Sequence, residues 1–226
     1  MIRELVLVAV DFTGVPWFAH GEPPAPPVPA GFAIERASPD ASSTLFGDGP
    51  VSPSQAAQRL ADGDTCLVAV TEGTVTAAQM WCSERVRFID WIGCDVRPPE
   101  GHVHVYNSWV RPEFRGLGLQ WNLAAAACRN VAARGRSKMC AGVERKEYPP
   151  FARKYAAMGL GLMVPYKSIW SLQLLGVTAG AIPFPPPRAL GEACRNAATT
   201  LARRTSSADQ MEEGETAQRE GRARCG

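Results

Sequence analysis

Apolar and polar positions along the chain form short runs punctuated by glycine and proline, and each run carries its own period. Residues 1–10 end in six consecutive apolar residues from Leu5 to Val10, which reads as a strand or as a segment docked on a surface. Residues 13–30 are a proline-rich connector, unable to form a helix or a central strand. Gly31 to Ala37 alternates as a first strand, and residues 41–50 are loop-like. Ser52 as N-cap and Pro53 at the first helical position predict a short helix through Leu60, stopped by Asp62-Gly63-Asp64. Cys66 to Val70 and Val75 to Cys82 predict a strand pair turning at Glu72-Gly73, with a third strand from Val86 to Ile92 and a turn at Arg97 to Gly101.

The chain is organised around the stretch from Val103 to Arg134. Val103, Val105, Asn107 and Trp109 alternate with His102, His104, Tyr106 and Ser108, the period of a strand. Pro112 ends ladder donation, Arg115-Gly116-Leu117-Gly118 is a tight turn, and residues 119–133 have high helix propensity before Gly135. Ser137 to Val143 then alternates as a strand, and a helix runs from Tyr148 to Met158. Leu160 to Val164 and Ser168 to Leu175 read as a last strand pair turning at Pro165 to Lys167. Ala181 to Pro187 reads as a stiff linker, residues 189–204 as a marginal Ala-rich helix, and residues 206–226 as disordered. The domain boundaries expected are therefore an N-terminal strand or arm with its connector (1–30), a central domain (31–175) and a linker with tail (176–226).

Composition narrows the function classes. A hydrophobic fraction of 46% and a charged fraction of 20% are those of a globular protein. The net charge of +2 is too small for a nucleic-acid stripe. No apolar run reaches the ~18 residues of a membrane span. Seven cysteines, without a CxxC pair or a histidine at ligand spacing, suggest reduced thiols in a cytoplasmic compartment and no metal site.

A glycine turn opening a helix presents unpaired N–H groups and a positive dipole end to an anion, so a phosphate-bearing ligand is expected there. The turn lacks the Lys-Ser/Thr of a Walker loop and the third glycine of a dinucleotide fold. With Val110, Pro112, Arg115, Gly116 and Gly118 in register, it resembles motif A of the GNAT acyltransferase superfamily, V-x-P-x-x-R-G-x-G-x-(G/A), except that Gln120 replaces the last small residue. Tyr155-Ala-Ala-Met-Gly159-Leu160 resembles that superfamily's Y-x-x-x-G-F signature, with Leu160 for Phe, and Tyr148 stands where an asparagine is common.

The resemblance implies an α/β (α+β) fold with a mixed, mostly antiparallel sheet flanked by helices. The helices usual after the first strand are reduced to about one here. It also implies acyl transfer from acetyl-CoA, or another acyl-CoA, as co-substrate to an amine of a small molecule or peptide. In it, the pyrophosphate would rest on the backbone of Arg115, Gly116, Leu117, Gly118, Leu119 and Gln120. The thioester would lie along Trp109 and Val110, where a main-chain N–H polarises its carbonyl. Tyr155 would protonate the leaving thiolate, and His102 or His104 would deprotonate the amine.

Each side chain has a second reading. Tyr155 alone reads as a packing residue, the histidines as core or surface residues, and Asp95 and Glu100 compete as bases. Arg115 either pairs with the pyrophosphate or points to solvent. Arg129, Arg134, Arg136 and Lys138 could meet a 3′-phosphate or form a solvated helix end. Trp81, Trp91 and Trp109 line a pocket or fill the sheet core. Two other functions stay open: a catalytically idle acyl-CoA-binding module, and an N-acyltransferase fed by a long-chain acyl carrier protein. A homodimer is among the assemblies left open.

Overall fold

Ten strands and three α-helices arise from these patterns among the described residues. They are β1 (Ile2–Asp11), β2 (Phe32–Arg36), α1 (Pro53–Ala61), β3 (Thr65–Thr71), β4 (Thr76–Ser83), β5 (Arg87–Ile89) and β6 (Cys94–Val96). Then come β7 (His102–Val110), α2 (Leu119–Ala133), β8 (Lys138–Glu144), α3 (Tyr148–Ala157), β9 (Val164–Leu174) and β10 (Val177–Phe184). The computed structural model describes residues 2–184 apart from 21, 42–44, 48, 72–75, 90–92, 162 and 175–176. All of these fall within one compact unit, Met1–Pro185. The expected tail elements, the Glu72-Gly73 turn and Trp91 lie outside the described residues.

Eight strands form one sheet in the order β10-β9-β1-β8-β7-β4-β3-β2, while β5 and β6 pair apart as a ribbon. The alternation along β1 explains its place. Val6, Val8 and Val10 enter one core cluster and Leu5 and Leu7 another, so both faces of the strand are covered. A strand buried on both faces reads as a continuous apolar run, which is what residues 5–10 are. The N-terminal residues are thus neither a surface-docking segment nor an arm set apart from the domain. They pair with β8 on one side and β9 on the other.

α2 and α3 cover one face, where Leu119, Leu123, Val131 and Tyr155 meet Val103, Val105, Met80 and Leu67. α1 covers the other, with Ala56 and Val51 against Val68, Trp81 and Tyr106. Ser52 caps α1 as its sequence predicts, its side chain accepting from Gln55 N–H while Gln55 reaches back to the cap N–H.

Three strand expectations are corrected. Among the described residues of the Val86 to Ile92 stretch, Arg87–Ile89 is strand, and it pairs with Cys94–Val96 and not with the main sheet. Pro165 to Lys167 is not a turn. β9 runs through it, and the register with β1 slips between Leu7 and Val8 where Pro165 enters, one of the positions at which a strand tolerates proline. Val177 to Phe184, read in part as linker, is an edge strand on β9. An edge absorbs Pro183 because half of its N–H groups face away from any partner.

Candidate functional site

Among the described residues, every pairing in the main sheet is antiparallel except β7 with β8. These two run parallel only from His102 opposite Lys138 to Val105 opposite Ala141. Beyond that β7 continues on β4 to Val110, and β8 continues on β1 to Glu144. The sheet therefore opens between its two parallel strands, leaving the 106–110 edge of β7 without a strand partner on the β8 side.

β7 is also bulged. Its register with β4 slips by one residue between Trp81–Tyr106 and Gln79–Trp109, and Asn107 has φ +46°. Asparagine is among the few non-glycine residues that visit this region readily. The extra residue exchanges the faces beyond it, so Trp109 rather than Ser108 shares the face of Tyr106, contrary to simple alternation.

Where β7 ends, Pro112–Phe114 forms a 3-10 turn, and Gly116 and Gly118 come next at φ +84° and +82°. A Cβ at either glycine would meet nothing within 4 Å, so backbone conformation and not crowding selects glycine. That conformation costs an L-residue about 1–2 kcal/mol. Gly118 is the left-handed N-cap of α2 and supplies no side-chain cap. Among the described residues, the N–H groups of Gly116 to Gln120 have no backbone acceptor.

These elements enclose a cleft of about 360 Å³ lined by Ser108, Trp109, Val110, Phe114, Arg115, Gly116, Gly118, Leu119, Gln120, Trp121 and Lys154. That volume is in the range of small-ligand sites. Of the backbone residues expected to meet a ligand, all but Leu117, whose side chain is exposed, line it. Ser108, Phe114, Trp121 and Lys154 were not foreseen, and Lys154 comes from α3 with its ammonium 4.8 Å from the Trp121 ring. No sequence signal could have suggested it, since the packing of α3 against the start of α2 brings it there.

Arg115 turns its Nε back to the Val110 carbonyl at 3.3 Å. Arg134 and Arg136 pair with Glu84, and Lys138 with Asp11. They sit past the far end of a 15-residue helix, about 22 Å from its N-terminus. That end is therefore an ion-paired helix terminus and not part of the cleft.

The side chains expected to carry protons lie elsewhere. Tyr155 is buried on the α2–α3 face with its hydroxyl 3.1 Å from Cys128 Sγ, and does not line the cleft. Burial first, then the neighbouring thiol, hold its pKa well above the ordinary value, so the proton stays on oxygen. Burial likewise pushes the Cys128 thiol up to about 12.

His104 belongs to the opposite face. It is 1% exposed and its ring stacks on Tyr106 at 5.5 Å. Burial depresses its pKa to about 4, with Asp64 pulling the other way. His102 is half-buried at the strand's start, Nδ1 3.0 Å from the Glu100 carbonyl oxygen. The structure brings neither histidine to the cleft. Trp81 is fully buried and Trp109 lines the cleft, so the tryptophans divide between core and site.

Sequence reading missed a buried polar cluster on the α1 face. Tyr106 donates to Asp64 at 2.5 Å, and Arg87 binds Asp64 at 2.7 Å and Asp62 at 3.1 Å. The Asp62-Gly63-Asp64 stop signal was legible, but Arg87 and Tyr106, the partners of Asp64, come from strands 23 and 42 residues away.

No family model matches the chain, and no curated protein matches it. Among solved structures, a tandem GNAT protein from the clavulanic acid biosynthesis pathway, determined without acetyl-CoA, aligns over 74% of this chain and 51% of its own. Identity is 15% and the TM-score 0.51. The fold is that of the GNAT superfamily. A GCN5-related N-acetyltransferase from Sphaerobacter thermophilus is 16% identical over 74% of this chain and 50% of its own, at a TM-score of 0.49. The glucosamine N-acetyltransferase region of a fungal multi-domain β-N-acetylglucosaminidase is 15% identical, covering 74% and 20%, also at 0.49. These two are looser likenesses, and the fold assignment rests on the first. The chain spans about half the length of the tandem and Sphaerobacter proteins. Within the GNAT fold found here, the glycine turn opens α2 and the parted parallel strands are β7 and β8. Among the described residues no cluster could hold a metal ion, and no helix is long and apolar enough to cross a membrane.

Proposed function

We propose that the protein is an N-acyltransferase that uses acyl-CoA, acetyl-CoA foremost, to acylate an amine of a small molecule or peptide. The observation that carries this is the row of unpaired N–H groups from Gly116 to Gln120, opening into the cleft beside the parted strands. Phosphate oxygens suit such donors, which the positive end of a helix reinforces. The open space around Gly116 and Gly118 leaves room for them to approach the main chain.

Bound coenzyme A supplies the activated acyl group as a thioester. The chain's part is binding and orientation. Gly116 to Gln120 hold the anion, Lys154 adds a cation at the rim, and the unpartnered edge of β7 at Trp109–Val110 offers one main-chain donor, the Val110 N–H, along the opening. Tyr155 is proposed as the proton donor to the departing thiolate, since burial keeps it protonated. His102 and His104 remain the proposed bases. His102 is the more exposed of the two, whereas burial disfavours the protonated form of His104 and weakens it as a base.

A second reading, an idle acyl-CoA-binding module, is favoured by one observation. Tyr155 and His104 are sealed in cores on opposite faces, and neither lines the cleft. A thiol-release assay with acetyl-CoA and a panel of amines separates the two. Amine-dependent release supports transfer, whereas saturable binding with no release supports the module.

A further inference from the structure

We infer that Arg59, near the C-terminal end of α1, is a positioning residue for the cleft. It acts by clamping the β7 bulge that aims Ser108, Trp109 and Val110. In a regular strand, Tyr106 and Asn107 would point to opposite faces and could not touch one side chain. The bulge turns both toward α1. The Arg59 guanidinium lies 5.3 Å from the Tyr106 ring and 5.3 Å from the Trp81 ring. The Asn107 amide, oriented with its oxygen to the guanidinium, accepts from Arg59 Nη1 at 2.9 Å and Nη2 at 3.3 Å. A planar fork that stacks on rings while donating twice is arginine chemistry that lysine cannot copy.

The loop after Arg59 tightens the same grip. Asp64 takes the Tyr106 hydroxyl at 2.5 Å, and Arg87 ties Asp64 to Asp62. Residues 59–64 thus hold positions 106 and 107 from one side. Residue 108 is the first to line the cleft. Asparagine tolerates the φ of +46° at Asn107 better than most residues but still adopts it at a cost, which this hold offsets. Arg59 is not among the residues that line the cleft, so it acts through the bulge.

The functional half of this inference rests on the coenzyme A reading, and the structural half does not. The test is hydrogen exchange read by mass spectrometry on the full chain, with acetyl-CoA affinity measured on the same samples. Arg59→Met keeps the side chain's length on the rings and removes the fork. It should speed exchange of amides 106–110 at least about tenfold while the β1–β9 pairing stays protected, and weaken acetyl-CoA binding in step. In an Asn107→Gly background, where no strained residue needs holding, the same Arg59 change should add little to either readout. Unchanged exchange in Arg59→Met overturns the clamp. So does loosening spread over the whole sheet that persists in the Asn107→Gly background. Local loosening with unaltered affinity overturns the positioning role. Wild-type protein that binds no acetyl-CoA would sink the coenzyme reading alone, and the exchange pattern would still decide the clamp.

Discussion

The two faces of the sheet are built by different means. On the α2–α3 face the core is apolar, aliphatic side chains with the rings of Phe12 and Trp17, an alanine-rich helix packed close and Tyr155 paired to Cys128 within it. The chemistry available at its edge is main chain, presented by a glycine turn. On the α1 face the core carries ion pairs, a buried histidine and rings under a guanidinium. The cleft nonetheless opens beside the glycine turn and not beside these groups. Side-chain chemistry is concentrated where the fold is held, and backbone chemistry where a ligand fits.

If that division is right, breaking the α1 face should cost stability first. Asp64→Ala would leave the Tyr106 hydroxyl without its partner and Arg87 with Asp62 alone. Removing one partner of a buried pair costs about 3–5 kcal/mol, and because Arg87 keeps Asp62, urea unfolding should register a loss near the lower end of that range. A loss below about 1 kcal/mol would mean the cluster is well solvated and the contrast between the faces overstated.

The same face should respond to acid. His104 titrates near 4 in the folded chain against about 6.5 unfolded, so across that interval the unfolded state binds more protons. The contribution is complete above pH 6.5 and is lost as pH falls toward 4, roughly 3 kcal/mol from this residue. Unfolding free energies at pH 7 and pH 4.5 should differ accordingly, and His104→Phe should flatten that part of the profile. A profile unaltered by the substitution would place the acid sensitivity elsewhere.

Tyr155→Phe sharpens the comparison from the opposite face. It removes one buried hydrogen bond, costing about 1 kcal/mol. As the thiolate's proton donor, Tyr155 would also support turnover, so kcat should fall at least ~10-fold with acetyl-CoA affinity kept. Turnover like wild type where chemistry limits the rate would leave Tyr155 a packing residue paired to Cys128. The smallest effect is expected beyond the sheet. Ending the chain after Pro187 keeps all of β10 and should leave the melting temperature and acetyl-CoA affinity unchanged, which a thermal melt and a titration of the shortened chain would check.

How much of the fold and the site was legible in the sequence depends on the range of the interactions involved. The turn at Gly116 and Gly118 could be read because a left-handed backbone at a helix start is a local demand with a local signature. The capping of α1 by Ser52 was equally local. The place of β1 between β8 and β9 was not, since periodicity reports that a strand is buried and not which strands bury it. The bulge at Asn107 escaped because alternation assumes that no residue is inserted, so Ser108 was put on the wrong face. Arg59, Asp64, Arg87 and Tyr106 were invisible as a group because each is ordinary in its own segment and only the sheet brings them together. Lys154 reached the cleft through the packing of two helices that sequence spacing leaves free.

The central claim, that main-chain donors at the start of α2 hold the phosphates of an acyl-CoA, is tested most directly by calorimetric titration of acetyl-CoA into the wild-type chain and Gly118→Glu. Glutamate there must adopt φ +82° and sets a carboxylate where the anion belongs, while a Cβ has open space and the fold should survive. One-site binding by the wild type, weakened at least ~100-fold in a variant whose circular dichroism is native, is the predicted result. A native-like variant that binds acetyl-CoA as tightly as the wild type, or a wild type that does not bind it, would contradict the claim.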